Sequence, residues 1–205
     1  MKKAAWAVSV VFHPLLLTTY LFLLVSFTLP SLFHPLSTTF RNWFLLLVFV
    51  LTVLIPSLNI WMFRKSGTIS DFVLSDRRER IIPFLWILGV YGLATYLFYA
   101  RLSLNSNVLG FLTVSTGLVG AALLLTLFFK VSIHALGMGG ALAMLLVLNL
   151  NHKEQGLLGP TALVMAATGL VLSARLYLNA HRPGEVYAGL LAGIITGGMG
   201  MILMF

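Results

Sequence analysis

Between Arg41 and Arg64 the chain runs 22 residues without one charged side chain, NWFLLLVFVLTVLIPSLNIWMF. A segment this long and this apolar is the length of a bilayer crossing, which takes roughly 20 apolar residues as a helix. In lipid every backbone amide and carbonyl must find its partner inside the segment, so helix is the form such runs take. Comparable runs fall near residues 5–27, 42–62, 83–100, 108–129, 133–150, 159–179 and 184–204. The third is short, and glycines interrupt the fifth. The expected fold is an all-α polytopic membrane bundle of about six to seven transmembrane helices, one domain over residues 1–205. Composition agrees: 60% of residues are hydrophobic, only 9% are charged, and mean hydropathy is +1.02. A soluble domain of this size carries far more surface charge. The basic tip "MKK" precedes an apolar stretch too long for a signal peptide, so it reads as a retained first span. There are no cysteines. The net charge of +8 then points to anionic lipid, a phosphate-bearing substrate or topology signals rather than to nucleic acid.

Counting crossings puts the N-terminus and residues 63–83, 130–134 and 179–185 on one face of the membrane. Nearly all titratable chemistry gathers there. The opposite face carries Arg41, Arg101 and Lys153. With the candidate ligands set aside, the motif face keeps Lys2, Lys3, Arg64 and Lys65, so the positive-inside rule leaves orientation open. "VFHPL" and "LFHPL" recur at 11–15 and 32–36; five residues are too few to make a repeat. His13-Pro14 reads as a kink in the first span with a buried, hydrogen-bonded imidazole. Gly189, Gly193 and Gly197 form a four-residue seam for close helix packing.

Three clusters on the motif face carry the chemistry. In "SARLYLNAHRPGEV" (173–186) Arg175, His181 and Glu185 stand together. If Asn179 caps the last helix, His181 and Glu185 share a face of its first turns, and the carboxylate fixes the imidazole tautomer. If the helix starts at Pro183, the pairing is looser. The other reading of this run is a solvated loop with a snorkelling arginine. In "KVSIHAL" Ser132 is a candidate cap for the fifth helix, Lys130 adds charge, and His134 projects from the first turn. In "SDRRERIIP" Arg77, Arg78 and Arg80 suit phosphate recognition, or serve as a topology anchor.

Together these clusters resemble the three motifs of the type 2 phosphatidic acid phosphatase superfamily. "ARLYLNAHRPGE" keeps the third motif's Arg-to-His spacing and its acidic position, with Glu185 for aspartate and Ala174 for serine. "VSIH" keeps the serine and histidine of the second, with Val131 and Ile133 at the other two places. "DRRERIIP" keeps arginines and a proline of the first, without its spacing. The resemblance covers about residues 76–190 and is that of a divergent relative. It implies a membrane lipid phosphate or diphosphate phosphatase that works without a metal or cofactor. His181 would be the nucleophile that forms a phosphohistidine, Glu185 its orienting carboxylate and His134 the acid for the leaving oxygen. Arg175, Ser132, Lys130, Arg77, Arg78 and Arg80 would hold the phosphate. The expected setting is the bacterial cytoplasmic membrane, with a lipid phosphate or isoprenoid diphosphate as substrate.

A magnesium-dependent prenyltransferase would need aspartate clusters, and the chain has only Asp71 and Asp76. A haem cytochrome would need facing axial histidines; His134 and His181 share a membrane face, and nothing else favours haem. The standing rival is a catalytically inactive relative, or a lipid-binding or transport protein.

Overall fold

The computed structural model describes residues 1–74, 76–101, 104, 106–151 and 156–204. Lys153, counted above, lies outside them. Among the described residues every regular element is helical: α1 Lys2–Val11, α2 Pro14–Thr28, α3 Thr38–Phe49, α4 Ile55–Lys65, α5 Ile81–Arg101, α6 Ser106–Phe128, α7 Ile133–Asn151, α8 Leu158–Tyr177 and α9 Pro183–Met204. A π-helical turn, Val50–Leu54, joins α3 to α4, and a 3-10 turn, Arg78–Arg80, leads into α5. Among the described residues, six continuous helical segments are long and apolar enough to cross a membrane, and the bent pair α1–α2, taken as one span, makes a seventh. This is the expected all-α polytopic bundle.

Two spans differ from expectation. The third is not short: its helical segment reaches back to Arg78, so Arg78 and Arg80 stand in the 3-10 turn that leads into α5, with Arg77 immediately before it, instead of lying in a loop. The fifth is not interrupted: Gly137, Gly139 and Gly140 lie within the continuous α7. They serve packing, as does the facing seam of α9. A methyl group on Gly189 would lie 2.5 Å from the Ser132 carbonyl, and one on Gly197 would lie 2.7 Å from that of Gly140. On Gly193 it would collide with the Leu136 carbonyl, and on Gly139 with that of Leu190. Only hydrogen fits where two helix backbones approach this closely.

The first span bends by 60° between α1 and α2. Pro14 takes the first position of α2, where its missing N–H is no loss, and Nδ1 of His13 accepts from the Leu15 amide at 3.4 Å. The kink and the hydrogen bond are as expected, but His13 is exposed rather than buried. His34 instead ends a 3-10 turn at Pro30–Phe33, so the two His-Pro pairs are not copies of one unit.

Toward the opposite membrane face, Phe22, Phe44, Phe98 and Phe111 stack with Leu145 and Leu148 into the main core. Inside the bundle, Thr19 and Thr52 share a 3.0 Å hydrogen bond. Tyr91 bonds to Thr18 and Thr52. Hydroxyls paired in this way tie α2, the π-helical turn and α5 together without leaving polar groups in hydrocarbon.

Candidate active site at the α7 and α9 N-termini

The last helix begins at Pro183. Asn179 does not cap it; it ends α8 in a left-handed conformation with φ of 52°, which asparagine tolerates better than most residues. The carbonyl of Arg182 accepts from the amides of Glu185 and Val186. Glu185 therefore stands third in the helix, where the positive end of the helix dipole favours a carboxylate. The His181–Glu185 pair is not loosened by this start: His181 Nδ1 lies 2.7 Å from Glu185 Oε2, with His181 buried and Glu185 half-buried. A carboxylate accepts only, so Nδ1 carries the proton. Nε2 then holds a lone pair and, among the described residues, no hydrogen bond engages it.

His181 borders an open cavity of about 480 Å³ at the end of the bundle, together with Lys130, Asn179, Arg182 and Glu185. That is a volume typical of ligand sites. Burial pushes the His181 imidazole below its ordinary range; the Glu185 hydrogen bond opposes this, while Arg175 and Arg80 add to it. At neutral pH the ring is uncharged and its Nε2 can act as a nucleophile.

Arg175, on the last turn of α8, is 7% exposed, and its buried Nε has no hydrogen-bond partner. It acts electrostatically on His181, His134, His13 and Arg80. A buried guanidinium without a full set of partners is costly inside a membrane protein, which makes Arg175 a candidate functional residue.

The three arginines before α5 have three different fates. Arg80 is buried; Nε donates to the Leu74 carbonyl at 2.7 Å and Nη1 to Val131 at 3.0 Å. This places its charge within reach of Glu185 and His181. Arg77 instead closes the end of α6, donating to the carbonyls of Thr126 and Leu127. Arg78 is exposed. Of the three, Arg80 joins the site.

The second cluster divides as well. Ser132 caps α7, accepting from the Ala135 amide at 3.4 Å. It is fully buried and does not border the cavity. Lys130, two residues earlier, does. His134 turns toward the first span: its Nε2 lies 3.0 Å from the Ser9 carbonyl, and its ring meets His13 edge-on at 5.6 Å between centroids. Ser9 and His13 belong to none of the three sequence clusters. The available signal was His13 itself, one of five histidines, placed just before a proline that forces a bend.

Among the described residues no three His, Asp or Glu side chains group to hold a metal ion. No family model, curated protein or solved structure matches the chain.

Proposed function

We propose that the protein is a membrane phosphatase acting on a lipid phosphate or diphosphate through a phosphohistidine at His181. One observation carries the reading: the buried His181–Glu185 pair at 2.7 Å leaves Nε2 without a partner, in a residue that borders the same cavity as Lys130 and lies within the field of Arg175 and Arg80. Nε2 attacks phosphorus, an N–P bond forms, and the bond to the leaving oxygen breaks with its electron pair going to that oxygen. Glu185 stabilises the positive ring that results. Lys130, Arg175 and Arg80 offset the charge on the equatorial oxygens. The oxygen of a water molecule then bonds to phosphorus as the N–P bond breaks with its electron pair returning to Nε2; the water's proton passes to the released phosphate, and the neutral ring is restored.

The rival reading is an inactive relative that binds or moves phospholipid. His134 favours it: a carbonyl only accepts, so the Nε2 proton of His134 is held by Ser9 and a neutral ring has none left for a leaving alkoxide. Single-turnover phosphate release from lipid phosphates in nanodiscs separates the two. The phosphatase forms an acid-labile, base-stable phosphoprotein that disappears in His181→Ala while the variant still binds lipid phosphate. Turnover by a folded His181→Ala protein at the parent's rate overturns the assignment, and absence of turnover by the parent, with lipid phosphate bound, establishes the rival.

A further inference from the structure

The connection between α4 and α5 carries apolar side chains where a turn in water carries polar ones. The backbone amide of Leu74 donates to the Asp71 carbonyl at 3.4 Å and closes a turn over residues 71–74. Turns in water favour Gly, Asn, Asp and Ser. The two central places here are Phe72 and Val73, 60% and 69% exposed. Leu74 has φ of 54°, a left-handed conformation that a bulky residue seldom takes. Both sides of the turn are anchored. Ile69 and Leu74 are buried in the cluster that holds Phe84 of α5, with Phe63 of α4 packed against it. Glu79 accepts from the amide and the hydroxyl of Ser70 at 2.8 and 2.9 Å. The Leu74 carbonyl accepts from Arg80 Nε at 2.7 Å. The turn is therefore clamped to the start of α5, at the depth where the apolar spans begin, and its tip is held rather than loose.

We infer that the Phe72–Val73 tip inserts into the interfacial layer of the bilayer at this end of the bundle, with Arg64, Lys65 and Arg78 seated on anionic lipid headgroups. Continuity with the lipid-facing surface is the first reason. Both flanking helices belong to spans, and Trp61 on α4 and Ile82 and Trp86 on α5 are exposed apolar side chains of those spans. The turn joins the two faces. Tryptophan near the end of a span marks the headgroup level. Charge is the second reason. Arg64, Lys65 and Arg78 are exposed beside the turn, and the Lys65 ammonium stands over the Trp61 ring at 4.8 Å. Exposed cations next to an aromatic belt complement an anionic headgroup layer. Area is the third. A specific protein interface buries roughly 1,000 Å² or more, far beyond two side chains, whereas insertion into an interface needs only an apolar tip and a basic rim. The inserted tip and Arg80 form one unit through the Leu74 carbonyl, so the depth of the turn and the position of the Arg80 charge are set together.

The chain contains no cysteine, so Val73→Cys takes a single bimane label in the full chain and leaves Phe72 in place. The labelled protein is placed in nanodiscs of phosphatidylcholine and phosphatidylglycerol. Lipids bearing a nitroxide high on the acyl chain should quench the bimane. A neutral water-soluble nitroxide should quench it several-fold less than it quenches bimane on free cysteine. Phe72→Cys, labelled and read in the same way, is the second position and should agree. Quenching from water at the free-cysteine level overturns the insertion, and protection from both quenchers overturns it in favour of a covering protein. Nitroxide-labelled phosphatidylglycerol should quench about twofold more than labelled phosphatidylcholine at equal mole fraction and low salt. That difference should vanish in the variant combining Arg64→Gln, Lys65→Gln and Arg78→Gln. Equal quenching by the two lipids in the labelled protein that keeps these three cations overturns the assignment of the cations to anionic headgroups.

Discussion

The backbone amide of Ser132 donates to the carbonyl of Glu185 at 3.0 Å. This bond joins the residue before α7 to the first turn of α9, two segments more than fifty residues apart in sequence. It holds the Lys130–His134 segment against the His181–Glu185 pair, and the glycine seam immediately below fixes the depth at which it forms. The geometry of the site is therefore a consequence of how closely two helices approach.

Gly193→Ala should break this arrangement. The added methyl would collide with the Leu136 carbonyl and approach the Gly140 amide, and backbone cannot step aside as a flexible side chain does. Overpacking of this kind costs about 1–3 kcal/mol or more. Gly169→Ala on α8 meets nothing within 4 Å and should be neutral or stabilise by up to about 1 kcal/mol through helix propensity. Thermal unfolding in detergent, read by fluorescence, should show a lowered midpoint for the first variant and an unchanged or raised one for the second.

The arginine run makes a sharper comparison. Arg80→Ala removes the separate donors to the Leu74 and Val131 carbonyls and opens a void beside Glu185, so a loss of about 2–5 kcal/mol is expected. Arg78→Ala changes an exposed side chain and should stay within about 0.5 kcal/mol. Parallel melting curves check both, and a larger loss from Arg78→Ala would show that the roles have been assigned the wrong way round.

These arginines also show where sequence reading stops. The spans were legible because hydrocarbon demands long apolar helices, and the glycine seam because small residues recur at four-residue spacing. The His181–Glu185 pairing was legible from its spacing, although the cap expected to bring it about, Asn179, ends the preceding helix instead. Nothing local distinguishes Arg77, Arg78 and Arg80. Their fates depend on which carbonyls of α6 and of the segment before α7 come within reach, and that is set by packing between distant parts of the chain. His134 is a similar case: its spacing from Ser132 matches a motif, but a carbonyl 125 residues earlier accepts its N–H.

Lys130 borders the cavity beside His181 and has no structural duty comparable to that of Arg80. Lys130→Met keeps the stem and removes the charge. Its unfolding midpoint should match the parent's, while kcat/KM for a lipid phosphate falls about 10–100-fold, the scale of one lost charge contact on a phosphoryl group. An unchanged kcat/KM would remove Lys130 from the site.

The pH dependence of Glu185→Gln tests the central pair most directly. In the parent, burial holds the His181 imidazole below its ordinary range, Arg175 and Arg80 push the same way, and Glu185 opposes them. In the proposed mechanism the nucleophile is the neutral ring, so kcat/KM should fall on the acid side only as pH drops through this depressed pKa, with an inflection below the usual value of about 6.5. Glutamine keeps an oxygen that accepts from Nδ1 but loses the charge that favoured the protonated ring. The acid limb of Glu185→Gln should therefore move to still lower pH, not higher. Above that limb the rate should be reduced by about 10²–10⁴-fold, because the positive ring formed on attack has lost its counter-charge. Arg175→Gln removes a positive neighbour and should move the limb the opposite way, toward the ordinary imidazole range. Profiles of kcat/KM between pH 4.5 and 8 for the three proteins give the order Glu185→Gln, parent, Arg175→Gln from low to high inflection; a limb that stays in place in both variants would show that His181 is not the group that titrates.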